Sequence, residues 1–124
     1  MCIRDSKKTL SEDREAFLLA DKIGFSEAYC GEHVTDAAEN ITSSALFIAS
    51  LAAETKKIRL GTGTVNMPNS HPAAIAGQIA MLDHMLDGRF NFGISPGGLA
   101  SDAEVFGNLA VSYTHLTLPT IYSV

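Results

Sequence analysis

The sequence contains no tryptophan and only two cysteines among its 124 residues. Cys2 and Cys30 are too few and too far apart to form a disulfide framework or a cysteine metal site, and we predict no metal site. Basic residues are also scarce, with nine Lys and Arg against fourteen Asp and Glu. The net charge of -5 and the lack of a basic cluster argue against nucleic acid as a partner.

Long hydrophobic runs are missing as well. No apolar stretch approaches the roughly 20 residues that a membrane-spanning helix needs, and the N-terminus lacks the charged-then-apolar layout of a secretion signal. We therefore expect no membrane association and a cytoplasmic location. With 46% hydrophobic and 19% charged residues, the composition is that of one globular unit.

Both ends of the chain resemble translated sequencing-adapter sequence. The opening MCIRDS and the closing VSYTHLTLPTIYSV match one transposase adapter translated in opposite orientations. The closing stretch also has strand propensity, but the match at both ends favours the adapter origin. We therefore expect residues 1–6 and 111–124 to be adapter-derived, and residues 7–110 to be a fragment of a longer protein.

Three segments between these ends carry apolar residues at helical spacing: Ser11–Ile23, Thr42–Thr55 and Pro72–Leu86. In the first segment, the pattern predicts that Ala16, Leu19, Ala20 and Ile23 face the core. SDAE, at residues 101–104, has the form of a capping box in which Ser101 starts a fourth helix.

Short β-rich runs separate the helices, at residues 25–30, 57–68 and 89–95. Repeated βα units predict an α/β fold with a parallel sheet and right-handed crossovers, either an open doubly wound sheet or a closed barrel. The polar loops GEHVTDAAEN, NMPNSH and SPGGLA each follow the C-terminal end of a predicted strand. In both architectures this edge of the sheet is where ligands bind.

His33 is the candidate for chemistry in the first of these loops. An imidazole, with an ordinary pKa of roughly 6.5, is suited to proton transfer near neutrality. The alternative is that His33 only forms an ion pair or caps the loop. Adjacent residues of a strand point to opposite faces, so we expect Glu32 to be an orienting or structural group rather than a second acid.

The other two loops are rich in glycine. The glycines of GTGTVNMP, at residues 61–68, allow a ligand to approach the backbone closely, or alternatively mark an ordinary strand bulge. SPGG, at residues 95–98, precedes a predicted helix, as phosphate-binding loops do, but it matches neither GxGxxG nor GxxxxGK.

Four stretches resemble the luciferase-like monooxygenases in order and spacing: GFSEAYCGEH, TKKIRLGTGTVNMPNSHP, QIAMLDHMLDGRFNFGISPGG and SDAEVFG. The resemblance covers nearly all of residues 7–109. It implies a partial (β/α)8 TIM barrel, of which this chain supplies about three parallel strands, the second to the fourth, with their helices. It also implies reduced FMN as the cofactor, supplied by a separate flavin reductase, with the deazaflavin F420 as the alternative.

The implied function of the full-length parent is flavin-dependent monooxygenation, in which one oxygen atom of O2 is inserted into a small organic substrate. The resemblance implies a homodimer or larger assembly for the parent, and we expect the fragment alone to be inactive. Two alternatives remain: an F420-dependent oxidoreductase of the same fold and a non-catalytic flavin-binding relative.

The resemblance also assigns roles to individual residues. His33 matches the catalytic histidine of the family, whereas Val34 stands where several relatives have a second histidine. The peptide between Gly63 and Thr64 corresponds to one that is often cis and packs beside the flavin ring. Ser95 and Gly97 correspond to the cofactor pocket. The residues implied to bind the cofactor are therefore Gly63, Thr64, Ser95 and Gly97.

Overall fold

A computed structural model describes residues 3–108 and 120–123 of the chain. Helices and strands alternate along it, as the sequence predicts. In chain order the elements are α1 (Ile3–Ile23), β1 (Glu27–Cys30), α2 (Ser44–Leu51), β2 (Arg59–Thr62), β3 (Val65–Asn66), a 3₁₀ turn (Met67–Asn69), α3 (Pro72–Met85), β4 (Phe90–Ser95), α4 (Ala100–Val105) and β5 (Thr120–Ser123). No helix within the described ranges is long and apolar enough to cross a bilayer.

The sheet has the strand order β1-β2-β4-β3, and all neighbours along this path are parallel. β2 pairs with the first half of β4 and β3 with the second half, so β2 and β3 are two halves of one predicted strand. The predicted parallel sheet of three strands is therefore confirmed, with its middle strand interrupted.

The interruption is a β-bulge. Gly61 pairs with Asn91 and Val65 with Ile94, so the β2–β3 side uses four steps where β4 uses three. The Thr62 hydroxyl bridges the irregular stretch, because its Oγ1 bonds both the backbone N–H and the carbonyl oxygen of Gly93, each at 2.9 Å. Bulges re-aim the residues that follow them, and this one lies directly before the C-terminal edge of the sheet.

β5 pairs with the other edge of β4, antiparallel, with Asn91 opposite Ser123 and Ile94 opposite Thr120. A repeated βα unit would place a parallel strand on that edge. The closing stretch thus forms a strand, as its propensity suggests, but this strand runs antiparallel to its neighbour, unlike the rest of the sheet.

The core lies between one face of the sheet and helices α1, α2 and α3. The predicted apolar faces of α2 and α3 are confirmed, and that of α1 is only partly right: Ala20 packs on the core, but Leu19 is 54% exposed and Ile23 62% exposed. Phe17 and Leu18 pack on the core instead. The Phe17 ring lies edge-on against Phe47 with centroids 5.3 Å apart, and this aromatic contact turns the helix away from the predicted face.

Asp21 ties α1 to the start of β2. Its carboxylate accepts hydrogen bonds from the backbone N–H groups of Lys56, Lys57 and Ile58 at 2.9, 2.8 and 2.7 Å. The hydrogen bond from Ile58 is the largest influence on the Asp21 pKa and, with those from Lys57 and Lys56, lowers it although burial acts in the opposite direction. The carboxylate is therefore ionised and anchors the turn that leads into β2.

We predict that Asp21→Ala lowers the free energy of unfolding by about 2 kcal/mol near pH 7, because three backbone donors lose a charged acceptor. Urea unfolding followed by circular dichroism measures the loss, with Glu15→Ala on an exposed site of the same helix as the control. Because the folded-state pKa of Asp21 is depressed, its contribution is complete above the unfolded pKa and disappears as the pH falls through the folded value. Equal midpoints for the two variants at pH 7 would contradict the assignment.

Candidate cofactor and catalytic site

The candidate residues follow the ends of adjacent strands. His33 follows β1, Thr64 follows β2 and Ser95 ends β4, and these three strands are neighbours in the sheet. The chain after β2 contacts the end of β1: Gly63 N–H donates to the Cys30 carbonyl at 2.7 Å. The sequence-based expectation that the candidate residues share one strand edge is confirmed.

His33 lies between two carboxylates. Its Nδ1 is 3.0 Å from Asp102 Oδ2, and its Nε2 is 3.8 Å from Glu39 Oε2. The Asp102 side chain is only 6% exposed, whereas that of His33 is 26% exposed. The imidazole is therefore held on its inner side and reaches solvent on its outer side.

Asp102 also organises the loop that carries His33. One of its oxygens, Oδ1, accepts from the backbone N–H groups of Val34 and Thr35, at 3.1 and 2.8 Å, and from the Thr35 hydroxyl at 2.7 Å. Burial of the Asp102 carboxyl raises its pKa, but the hydrogen bonds from Thr35, His33 and Val34 together outweigh burial and hold the pKa below its ordinary value. Asp102 is thus an anion that can only accept, so His33 Nδ1 carries the proton between them.

We predict that neutral His33 is the Nδ1–H tautomer, with Nε2 as its lone-pair nitrogen. Nitrogen-15 NMR of the imidazole rings distinguishes the two nitrogens, and exposed His84 provides the internal control. Asp102→Asn should reverse the tautomer, because an amide N–H directed at Nδ1 requires an acceptor there. A wild-type His33 protonated at Nε2 would contradict the assignment.

The predicted capping box of α4 is wrong. The N-cap residue of α4 is Leu99, and no side chain caps the helix. Ser101 Oγ instead lies 2.6 Å from Thr35 Oγ1, and Asp102 points back to the loop after β1. Ser101 and Asp102 thus contact Thr35, about 67 residues away in sequence, and no local pattern reveals these contacts.

Two other histidines have the structural roles that their positions suggest. His71 is the N-cap of α3, and its Nδ1 accepts a hydrogen bond from Ala73 N–H at 3.2 Å. His84 is exposed on the same helix.

Thr64, Ser95 and Asn66 form a chain of hydrogen bonds that we call the hydroxyl shelf. The Thr64 hydroxyl donates to Ser95 Oγ at 2.6 Å, and the Ser95 hydroxyl donates to Asn66 Oδ1 at 3.0 Å. Gly97 N–H also donates to Ser95 Oγ, at 3.2 Å. Three of the predicted cofactor residues are therefore brought together, and Asn66 of the same GTGTVNMP motif, which is 6% exposed, joins them.

Glu32 supports the shelf from below. Its Oε1 accepts from Asn66 N–H at 3.0 Å, and its backbone carbonyl accepts from Asn66 Nδ2 at 3.0 Å. Its Oε2 accepts from the backbone N–H and the hydroxyl of Ser44 at the start of α2, at 3.0 and 2.7 Å. These contacts are those of an orienting group, as expected from the sequence, and not of a second acid facing His33.

The family model for luciferase-like monooxygenases matches residues 3–116. The chain belongs to the luciferase-like monooxygenase family. It is 38% identical over 103 residues to limonene 1,2-monooxygenase of Rhodococcus erythropolis and 39% identical over 103 residues to 4-hydroxyprotoasukamycin monooxygenase of Streptomyces nodosus subsp. asukaensis. Each match covers 83% of this chain but only 27% and 28% of the respective relatives.

A solved structure of a luciferase-like monooxygenase shows the same fold. The oxygenating constituent of 3,6-diketocamphane monooxygenase from Pseudomonas putida, solved in complex with FMN, superimposes with a TM-score of 0.79 at 30% identity. The match covers 82% of this chain and 28% of that one. The sheet is thus part of the TIM barrel of luciferase-like monooxygenases, and the chain spans somewhat more than a quarter of the length of these relatives.

Glycines shape the strand edge that carries the candidate residues. The peptide between Gly63 and Thr64 is cis, as the family resemblance implies. A β-carbon at Gly31 would lie 3.2 Å from the Gly63 carbonyl oxygen, and one at Gly63 would lie 3.1 Å from the Tyr29 β-carbon. Glycine at both positions therefore allows the ends of β1 and β2 to pack closely.

Proposed function

We propose that the complete protein is a flavin-dependent monooxygenase that inserts one oxygen atom of O2 into a small organic substrate. The observation that carries the proposal is the position of His33, held by Asp102, at the same strand edge as the hydroxyl shelf. The similar proteins whose names include monooxygenase support the reaction class.

Gly63, Thr64, Ser95 and Gly97 would hold the isoalloxazine ring of FMN. Reduced flavin, supplied by a separate reductase, provides the two electrons that O2 activation requires. The bulge before Thr64 re-aims the chain that follows it at this edge of the sheet.

His33 is proposed to move protons at Nε2. Asp102 accepts the hydrogen bond from the Nδ1–H group and fixes the orientation of the ring, so Nε2 remains the nitrogen that can exchange a proton with a reacting group. The separation of 3.8 Å between Nε2 and Glu39 Oε2 exceeds hydrogen-bond length, so this nitrogen is not committed within the site.

The complete protein is further proposed to be a cytoplasmic homodimer or larger assembly. A groove between α2 and α3 is lined by apolar side chains, among which Leu46 is 74% exposed, Met81 66% exposed and Met85 45% exposed. Such a patch on two adjacent helices is suited to burial against another subunit.

Substrate oxygenation under ¹⁸O₂ tests the proposed function. The enzyme is expressed from source DNA extended in frame beyond residues 7–110 and is supplied with NADH, FMN and a flavin reductase. Limonene and a camphane ketone are the first substrates, because limonene and diketocamphane occur in the names of similar proteins. One ¹⁸O atom in the product supports monooxygenation. Oxidation or reduction of a substrate without ¹⁸O, dependent on F420, would instead support the deazaflavin alternative.

A further inference from the structure

The hydrogen bonds of the hydroxyl shelf run in one fixed direction, and Glu32 sets that direction. The Asn66 side chain faces the Glu32 carbonyl oxygen, which can only accept, so the amide must present its NH₂ group there. Its oxygen is consequently turned toward Ser95. The Asn66 backbone N–H donates to the Glu32 carboxylate at the same time, which anchors the residue at two points.

The orientation of Asn66 propagates to Thr64. A hydroxyl has a single proton, and that of Ser95 is donated to Asn66 Oδ1. Ser95 Oγ can therefore only accept from its other neighbours, namely Gly97 N–H and the Thr64 hydroxyl. The Thr64 hydroxyl therefore donates its proton to Ser95 Oγ. The lone pairs of Thr64 Oγ1 remain available, and within the described residues no donor is directed at them.

We propose that Asn66, oriented by Glu32, is a positioning residue that makes Thr64 Oγ1 an obligate hydrogen-bond acceptor, so that the site binds the reduced flavin ring in preference to the oxidised ring. This inference rests on the proposed function. Reduction of an isoalloxazine adds an N–H group at N5, where the oxidised ring has a bare acceptor nitrogen. In this proposal N5 lies opposite Thr64 Oγ1, where a fixed acceptor satisfies the N–H of the reduced ring, whereas two acceptors facing each other are unfavourable.

The test is anaerobic equilibrium dialysis of the complete protein, expressed as for the ¹⁸O₂ experiment, with lumiflavin, the flavin ring without its phosphate tail, in each oxidation state. The measured quantity is the ratio of the dissociation constants for oxidised and reduced lumiflavin. In the wild-type chain this ratio should exceed one. In Ser95→Ala and Asn66→Ala the Thr64 proton is freed to donate, so the ratio should fall by about five- to ten-fold, the effect of one hydrogen bond.

Thr64 provides the matched controls. Thr64→Ser keeps the hydroxyl and should keep the wild-type ratio, whereas Thr64→Val removes the acceptor and should lower the ratio by weakening the binding of the reduced ring. Asn66 is not required to contact the ring. If Asn66→Ala and Ser95→Ala lower the ratio by the same factor, the effect comes from the positioning of Thr64 and not from the loss of a direct contact.

Two results would overturn the inference in distinguishable ways. If Ser95→Ala and Asn66→Ala weaken both oxidation states equally, the shelf has only a structural role, and the proposed flavin site stands without this selectivity. If neither form of lumiflavin binds the wild-type chain, the ring site of the proposed function is refuted, and the inference fails with it.

Discussion

Asp102→Ala is expected to lower the free energy of unfolding by about 3 kcal/mol at pH 7. The substitution removes a buried anion that accepts from the Val34 and Thr35 backbone, from the Thr35 hydroxyl and from His33. Partners left without an acceptor in a buried site account for a loss of this size. Urea unfolding of the purified chain measures it, and Glu104→Ala on an exposed position of the same helix is the control.

The Asp102 effect should depend on pH with a definite sign. The folded-state pKa of Asp102 is depressed, so the stabilisation by its anion is complete above the unfolded pKa of about 3.9 and is lost as the pH falls through the folded value. The difference between wild type and Asp102→Ala should therefore shrink below about pH 4. A difference that grew as the pH fell below about 4 would show that Asp102 is not ionised in the folded chain.

His33→Gln is expected to lower kcat of the complete enzyme by about 10²- to 10⁴-fold, the usual contribution of a positioned acid or base. Glutamine retains a hydrogen-bonding side chain of similar size but cannot exchange a proton near neutrality. The dissociation constant for reduced FMN should change little, since the predicted ring contacts lie at Gly63, Thr64, Ser95 and Gly97.

His84→Gln is the control for that comparison, because His84 is exposed on α3. Its turnover should equal that of the wild type. A His33→Gln enzyme with turnover within two-fold of the wild type would assign His33 to the loop structure alone, which is the alternative that the sequence left open.

The periodic features of the fold could be predicted from the sequence because each depends on neighbouring residues. The α3 helix begins at Pro72 and buries Ile75, Leu82 and Leu86, as its spacing indicates. Gly24 ends α1 with a φ of +93°, in the left-handed region that its position after the helix requires. Each of these features depends on residues close in sequence, so a local sequence pattern predicts it.

The failures have a common physical cause, which is long-range contact. The face of α1 follows from the packing of Phe17 on Phe47, and no helical-spacing rule ranks one aromatic contact above several aliphatic ones. Residues 101–104 are interpreted as a capping box from the sequence because the partners of Ser101 and Asp102, 66 to 69 residues away, are invisible in their own segment.

The candidate site likewise has features that the sequence predicts and features that depend on long-range contacts. His33, Thr64 and Ser95 could be placed at one edge because parallel strands bring their C-terminal ends together. The direction of the hydrogen bonds from Thr64 to Ser95 to Asn66 required coordinates, because it depends on which end of the Asn66 amide faces Glu32.

The most direct test of the central claim, that flavin binds at the C-terminal edge of β1, β2 and β4, is amide-detected NMR of the nitrogen-15-labelled full chain titrated anaerobically with reduced FMN. We predict that the largest shift changes fall on the amides of Gly31, Gly63, Thr64 and Gly97. Gly77 and Gly88, which lie on α3 and at the opposite end of β4, serve as internal references and should not move. Shift changes confined to the groove between α2 and α3, or to the N-terminal ends of the strands, would contradict the account.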